Sequence, residues 1–357
     1  MKIVTIVGAR PQFIKAAAVS REISKHPEIK EIIVHTGQHF DANMSDIFFD
    51  EMQIPHPHYN LEVHSVGHGA MTGRMLEKLE DVLIKEKPDY VLVYGDTNST
   101  LAGALAAKKL HISVVHVEAG LRSFNMRMPE EVNRILTDRI SDILSCPTEN
   151  AVKNLKKEGF EQFNCTVANT GDVMQDAALF YSTFSAERSS IIKEKGLEGK
   201  EFALCTIHRA ENTDDSARLN SIIDALNEIS RQIPIIVPLH PRTNKIIASY
   251  QRTVHFQPIK PVGYFDMLEL LKHTKVVITD SGGLQKEAYF FKKPCITLRD
   301  ETEWIELVET GTNILAGAVA SDIIAAYQSL SRVKPIFRTD LYGGGTAVSK
   351  IIKELMK

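Results

Sequence analysis

Short apolar runs alternate with amphipathic stretches along all 357 residues, and that rhythm constrains the fold more than any single motif. KIVTIV (2–7), EIIVH (31–35), DYVLVYG (89–95), SVVHV (113–117), DILSCP (142–147) and CTVAN (165–169) read as strands in the first half. FALCTIH (202–208), PIIVPLH (234–240), VVITD (276–280), PCITL (294–298) and TNILAG (312–317) do so in the second. Helical patterns lie between them; Met71, Met75, Leu76, Leu79, Val82 and Leu83, for example, keep to one face. Strands apolar on both faces with helices between them predict parallel sheets covered on both sides. The polar stretch from about Ser182 to Lys200 interrupts the rhythm. The expected organisation is therefore α/β, with two doubly wound domains over 1–170 and 171–342. A last helix, 343–357, is expected to pack back on the first domain.

Composition narrows the function classes. The chain is 43% hydrophobic and 24% charged with a net charge of −3, so no basic field points to nucleic acid or an anionic membrane. Its four cysteines, Cys146, Cys165, Cys205 and Cys295, form no CxxC pair, and three sit in apolar runs. They read as reduced thiols of a cytoplasmic protein. The opening MKIVTIVGARPQ is too short an apolar stretch for a signal peptide and reads as a first strand, and no run of about eighteen apolar residues occurs.

Ligands of open α/β sheets bind beyond the carboxyl ends of strands, and unusual polar residues cluster there. Arg10 and Lys15 bracket a helix start after the first strand, with Pro11 suited to the first helical position. Asp96 follows DYVLVYG and is either an N-cap or a site carboxylate. Glu118 ends SVVHV, where a carboxylate is costly unless paired or useful. Glu130 and Glu131 open a helix behind Pro129. His208 and Arg209 end FALCTI, His240 and Arg242 follow PIIVPL, and Arg299, Asp300 and Glu303 follow PCITL. In VVITDSGGLQKE, the residues Ser281, Gly282 and Gly283 stand between a strand and a helix that carries Glu287. Glycines there let backbone N–H groups approach a phosphate, with a carboxylate one turn further in for sugar hydroxyls; a tight turn in a packed α/β unit would look the same. There is no G-x-G-x-x-G after a strand, no Walker A sequence and no H-E-x-x-H, and His56-Pro57-His58 lacks metal-site partners. Neither NAD chemistry, ATP hydrolysis nor a metal is expected.

At these strand ends the sequence resembles the non-hydrolysing UDP-N-acetylglucosamine 2-epimerase family. The resemblance rests on Gly8-Ala9-Arg10-Pro11 with Lys15, Gly95-Asp96-Thr97, His116-Val117-Glu118-Ala119-Gly120-Leu121-Arg122, and Pro129-Glu130-Glu131 with Asn133-Arg134. His208-Arg209 and Asp280-Ser281-Gly282-Gly283 with Gln285 and Glu287 complete it. It implies two Rossmann-like domains facing a cleft, as in GT-B glycosyltransferases. It implies that Arg10, Lys15, Arg209, Ser281, Gly282, Gly283 and Glu287 bind UDP. Asp96, Glu118, Glu130 and His208 would then act at the sugar carbons. It also implies a UDP-sugar substrate, no cofactor and a homodimer.

The chain departs from the family pattern in places. Trp304 stands where the family carries an arginine, Val262 and Met267 replace ligand contacts, and the loop 123–128 is short. FNMRMPEE, DETEWIELV and PVGYFDML resemble the subgroup acting on UDP-2,3-diacetamido-2,3-dideoxy-glucuronic acid for O-antigen and related polysaccharides. UDP-N-acetylglucosamine is the alternative substrate, and a GT-B glycosyltransferase the more distant one. Gln38-His39 lies where part of the regulatory second-substrate site of the family would be.

Overall fold

The computed structural model describes residues 1–38, 55–250, 253–330 and 335–357, and of Arg10 the backbone only. His39 therefore lies outside the described residues, and so does the side chain of Arg10. The chain divides into two compact units, one formed by Met1–Ala177 with Thr339–Lys357 and the other by Ala178–Arg338.

The first unit holds seven strands: β1 (Lys2–Val7), β2 (Lys30–His35), β3 (Tyr59–Asn60), β4 (Tyr90–Tyr94), β5 (Ser113–Val117), β6 (Ile143–Cys146) and β7 (Thr166–Asn169). They lie in the order β3-β2-β1-β4-β5-β6-β7, all pairs parallel. The second unit holds β8 (Ala203–Thr206), β9 (Ile235–Pro238), β10 (Gln257–Ile259), β11 (Val276–Thr279), β12 (Cys295–Thr297) and β13 (Asn313–Leu315). Their order, β10-β9-β8-β11-β12-β13, is likewise parallel throughout. Both sheets reverse strand order beside their first strand, between β1 and β4 and between β8 and β11. Such switch points open a crevice at the carboxyl ends of the strands.

The apolar runs have a direct physical cause. Cys205 and Ile278 enter one core cluster with Ile222 and Leu226, while their neighbours Leu204 and Val277 enter another with Leu270 and Ala288. Alternate side chains thus meet helices on opposite faces, and neither face is left polar. In the first unit Met75, Leu79, Val82 and Leu83 of the helix His68–Glu86 pack against Val4, Ile6, Val91 and Val93.

Every strand read from sequence is present. The structure adds two edge strands, β3 and β10. The first has only two residues, and the second contains Pro258, which an edge strand tolerates because its N–H need not pair. The helix after β11 starts at Gly282, two residues before the apolar-periodic LQKEAYFF. The polar stretch Ser182–Lys200 falls within the second unit and contributes Ile191 and Leu197 to its core.

The closing helix Ala347–Leu355 packs on the helix Arg10–Ile23, and Asp176 accepts the backbone N–H groups of Ala347 (3.2 Å) and Val348 (3.1 Å) at its start. Gly171 makes this return possible. At φ +93° it lies against Tyr342, and a Cβ there would sit 2.7 Å from the Tyr342 carbonyl oxygen and 3.0 Å from Gly343 Cα. Backbone on both sides leaves little room to yield. Gly171→Ala is therefore expected to destabilise the first unit by about 2 kcal/mol or more, seen as a lowered urea midpoint. An unchanged midpoint would mean that the carboxyl-terminal segment is not held at this glycine.

Candidate active site

The residues at the carboxyl ends of β1, β4 and β5 are joined by buried polar contacts. Gln12, in the first turn of the helix Arg10–Ile23, is 1% exposed. Its Oε1 accepts the N–H groups of Gly8 (2.8 Å) and Ala9 (3.1 Å), and its Nε2 donates to the Tyr94 carbonyl (2.7 Å). One amide therefore fastens the end of β1 to the end of β4. Lys15, on the same helix, forms an ion pair with Glu118, both side chains nearly buried. Gly95 brings its backbone beside this pair, since a Cβ there would lie 3.3 Å from Glu118 Oε2 and 3.4 Å from Lys15 Nζ. Glu118 itself has φ +74°, a conformation costing about 1–3 kcal/mol for a residue with a side chain. Its N–H and that of Ala119 both reach the Ser145 carbonyl at 3.1 Å, which holds the strained turn in place.

Asp96 is half-buried and receives Arg134 through Nε (3.0 Å) and the neighbouring guanidinium nitrogen (2.9 Å). Burial is the largest influence on its carboxyl and raises its pKa above the usual 3.8; the nearby charge of Glu118 adds to the rise, against the opposing pull of Arg134 and Lys15. Arg134 is in turn held by Glu131 at 2.5 Å. Glu131 is fully buried and accepts the backbone N–H groups of Ser123 (3.0 Å) and Phe124 (2.8 Å). Asn133 donates to the Asp96 carbonyl at 2.9 Å.

Beneath these residues lies a closed chain of charges. His116 offers Nδ1 to Asp138 (2.7 Å) and Nε2 to the Gly95 carbonyl (2.7 Å), with both side chains buried. Each ring nitrogen faces an acceptor, so the imidazole donates from both. Asp138 also accepts the Gly120 N–H (3.1 Å) and Arg122 (2.7 Å), and Arg122 forks onto Glu158 at 2.7 and 2.8 Å. Burial alone would raise the pKa of Asp138; His116 and then Arg122 outweigh it and hold it below 3.8.

In the second unit the organising group is Asp280, which is fully buried after β11. It accepts the backbone N–H groups of His208 (3.0 Å) and Arg209 (3.0 Å) and the side chain of Asn212 (3.2 Å). The exposed imidazole of His208 lies 3.4 Å from the same carboxylate. Ser281 caps the helix Gly282–Phe290, its Oγ accepting the Leu284 N–H at 3.4 Å. The N–H groups of Gly282 and Gly283 belong to the first turn and have no intrahelical acceptor. Among the described residues, the nearest atom to a Gly283 Cβ outside its own helix backbone and chain neighbours is Ser281 Oγ at 4.0 Å, whereas a Gly282 Cβ would run into the Glu303 carboxylate. Glu287 is largely buried on the same helix.

The structure thus gathers Asp96, Glu118 and Lys15 in the first unit, and His208, Arg209, Ser281, Gly282 and Gly283 in the second. Glu130 is exposed and has no hydrogen-bond or ion-pair partner among the described residues, whereas its neighbour Glu131 is the buried structural acid. Gln12, Glu131, Asp138 and Asp280 support the site without having stood out as site residues in the sequence. Gln12 and Asp138 lie inside helices, where nothing local marks them. Of the departures noted above, Val262 and Met267 pack against the core. The buried ring of Trp304 covers the Lys286 ammonium, 4.0 Å from the ring centroid.

Two parallel sheets that each reverse strand order beside their first strand, with ionisable and polar residues gathered at the carboxyl ends there, define an α/β architecture of the kind that takes ligands at its switch points. The family model for UDP-N-acetylglucosamine 2-epimerase matches residues 21–356. A UDP-2,3-diacetamido-2,3-dideoxy-D-glucuronate 2-epimerase of Pseudomonas aeruginosa is 57% identical over 359 residues, covering 100% of both chains. Two solved structures superpose with TM-scores of 0.90. One is the UDP-GlcNAc 2-epimerase of Methanocaldococcus jannaschii in complex with UDP-GlcNAc and UDP (42% identity, 100% of this chain and 99% of that one). The other is the UDP-GlcNAc 2-epimerase of Neisseria meningitidis bound to UDP-GlcNAc (31% identity, 100% of both chains). The chain belongs to the UDP-N-acetylglucosamine 2-epimerase family and has its GT-B-like α/β fold.

Asp138→Asn would leave the His116 and Arg122 cations buried against a neutral amide. A loss of about 3–5 kcal/mol at neutral pH is expected in urea unfolding. The folded pKa of Asp138 is depressed, so its contribution is fully present above the unfolded value of about 3.9 and is lost as pH falls through the lower folded value. The variant should accordingly lose stability less steeply below about pH 4 than the parent. Parallel acid limbs for the two proteins would contradict this assignment.

Proposed function

We propose that the protein inverts carbon 2 of UDP-2,3-diacetamido-2,3-dideoxy-D-glucuronate to give the D-mannuronate epimer, without cofactor, for O-antigen or related surface polysaccharide. The observation that carries the chemistry is the pair Asp96 and Glu118. One has its pKa raised by burial, the other is held against Lys15, and both stand at one end of one sheet. The substrate choice is supported by 57% identity over the whole length to the Pseudomonas enzyme of that name. UDP-N-acetylglucosamine is the second reading, favoured by a Methanocaldococcus jannaschii relative of that specificity at 43% identity.

In this proposal the C1–O bond to UDP breaks first, and its electron pair leaves with UDP. Cationic character at carbon 1 makes the proton on carbon 2 removable, and a carboxylate takes it, leaving a glycal and UDP. Protonation of carbon 2 from the other face and return of UDP to carbon 1 complete the inversion. Arg10, Lys15, Arg209 and the turn Ser281–Gly283 would stabilise the leaving diphosphate, and Glu287 would hold the ribose. Asp96, Glu118, Glu130 and His208 supply the acid–base groups. Two carboxyl groups in different surroundings suit two opposite proton transfers. The protein is further proposed to be cytoplasmic and a homodimer. Four free cysteines, three of them buried, agree with the first, and among the described residues no helix is long and apolar enough to cross a membrane.

Proton NMR in D₂O tests the reading. The diacetamido acid should give a manno product carrying deuterium at carbon 2. Conversion of UDP-N-acetylglucosamine alone would retain the chemistry and overturn the substrate. Asp96→Asn, Glu118→Gln and Glu130→Gln should each lower turnover at least about a hundredfold while UDP binding survives. Near-normal turnover in all three would remove the mechanism.

A further inference from the structure

The loop after β5, residues 123–128, displays what most loops hide. Phe124 is 73% exposed and Met126 60% exposed, and Phe124 is held at φ +59°, a region that side-chain-bearing residues rarely occupy. This conformation is imposed from below. Glu131 accepts the N–H groups of Ser123 and Phe124, binds Arg134, and through Arg134 connects the loop to Asp96. The loop also closes on itself: Asn125 Oδ1 accepts the Arg127 N–H (3.1 Å), and the Asn125 carbonyl accepts that of Met128 (3.0 Å). An apolar ledge is therefore fixed relative to Asp96, with Arg127 exposed on it.

The cations of this region divide sharply. Lys15 is paired with Glu118, Arg134 with Asp96 and Glu131, and Arg122 with Asp138 and Glu158. Arg127 has no ion pair or side-chain hydrogen bond among the described residues. A carboxylate on the sugar would meet an unpaired guanidinium here, whereas Lys15, Arg134 and Arg122 are already engaged. The proposed substrate carries such a group on carbon 5, and apolar acetamido methyls on the substituents of carbons 2 and 3.

We propose that Arg127 is a specificity residue that receives the sugar carboxylate of the substrate, on the ledge formed by Phe124 and Met126. This rests on the diacetamido-glucuronate reading. A planar guanidinium offers two parallel N–H groups to a carboxylate and nothing comparable to an alcohol. The carboxylate lies away from carbons 1 and 2, so Arg127 contributes binding and orientation without transferring a proton.

The test compares the parent, Arg127→Gln and Arg127→Lys on two substrates: UDP-2,3-diacetamido-2,3-dideoxy-glucuronate and the corresponding glucose compound, which has an alcohol in place of the acid. The glutamine variant should lose roughly 10- to 100-fold in kcat/KM on the acid, mainly through KM, and nothing on the alcohol. Lysine should restore part of the loss. Equal losses on both substrates, or none on either, would overturn the role of Arg127 while the substrate reading stands. If the parent converts UDP-N-acetylglucosamine but not the acid, the substrate reading falls and takes this role with it.

Discussion

The double hydrogen bond of His116, to Asp138 on one side and the Gly95 carbonyl on the other, is the contact on which the first unit's strand ends depend. Parallel strands end in backbone groups that no neighbouring strand can satisfy, and a site built there must satisfy them without filling the space a ligand needs. His116 does this from inside β5. It ties the turn after β4 to a carboxylate that also holds Gly120 and Arg122. An imidazole with two acceptors brings a positive charge into the core, which only the buried Asp138 makes tolerable. Asp280 solves the same problem in the second unit by accepting three N–H groups from the segment after β8.

Burial shapes the chemistry through these same groups. Asp96 and Asp138 are both aspartates of the first unit, yet their carboxyls are displaced in opposite directions. Asp138 is enclosed by an imidazole and a guanidinium, which overcome the cost of desolvation. Asp96 has Arg134 on one side and the negative charge of Glu118 beyond, so burial prevails. Neighbours rather than residue type decide the direction in which each carboxyl is displaced.

Much of this was legible before any coordinates. The eleven strands were visible because both faces of each sheet are covered, which leaves no polar alternation to obscure them. Asp96, Glu118 and Ser281–Gly283 were visible because a strand end is a definite place in the sequence. The short edge strands β3 and β10 were not, since pairing on one side needs neither length nor apolar residues. Glu130 and Glu131 show another limit. At the start of a helix, adjacent acids look equivalent until the helix is placed, and the rotation of about 100° between neighbours separates an exposed carboxylate from a buried clamp on Arg134. The ties of Gln12 to the end of β4 and of Asp138 to β5 run to partners 82 and 22 residues away, beyond any local pattern.

The left-handed backbone of Glu118 has a consequence for how such a protein changes under selection. A glycine would occupy that position at less conformational cost, but it would leave the nearly buried Lys15 ammonium without this carboxylate, so backbone strain and the ion pair pull against each other at one residue. Mutation accumulating under a demand for heat resistance alone would therefore have no easy way to shed the strain, because glycine or asparagine at 118 relaxes the backbone and gives up the charge that faces Lys15.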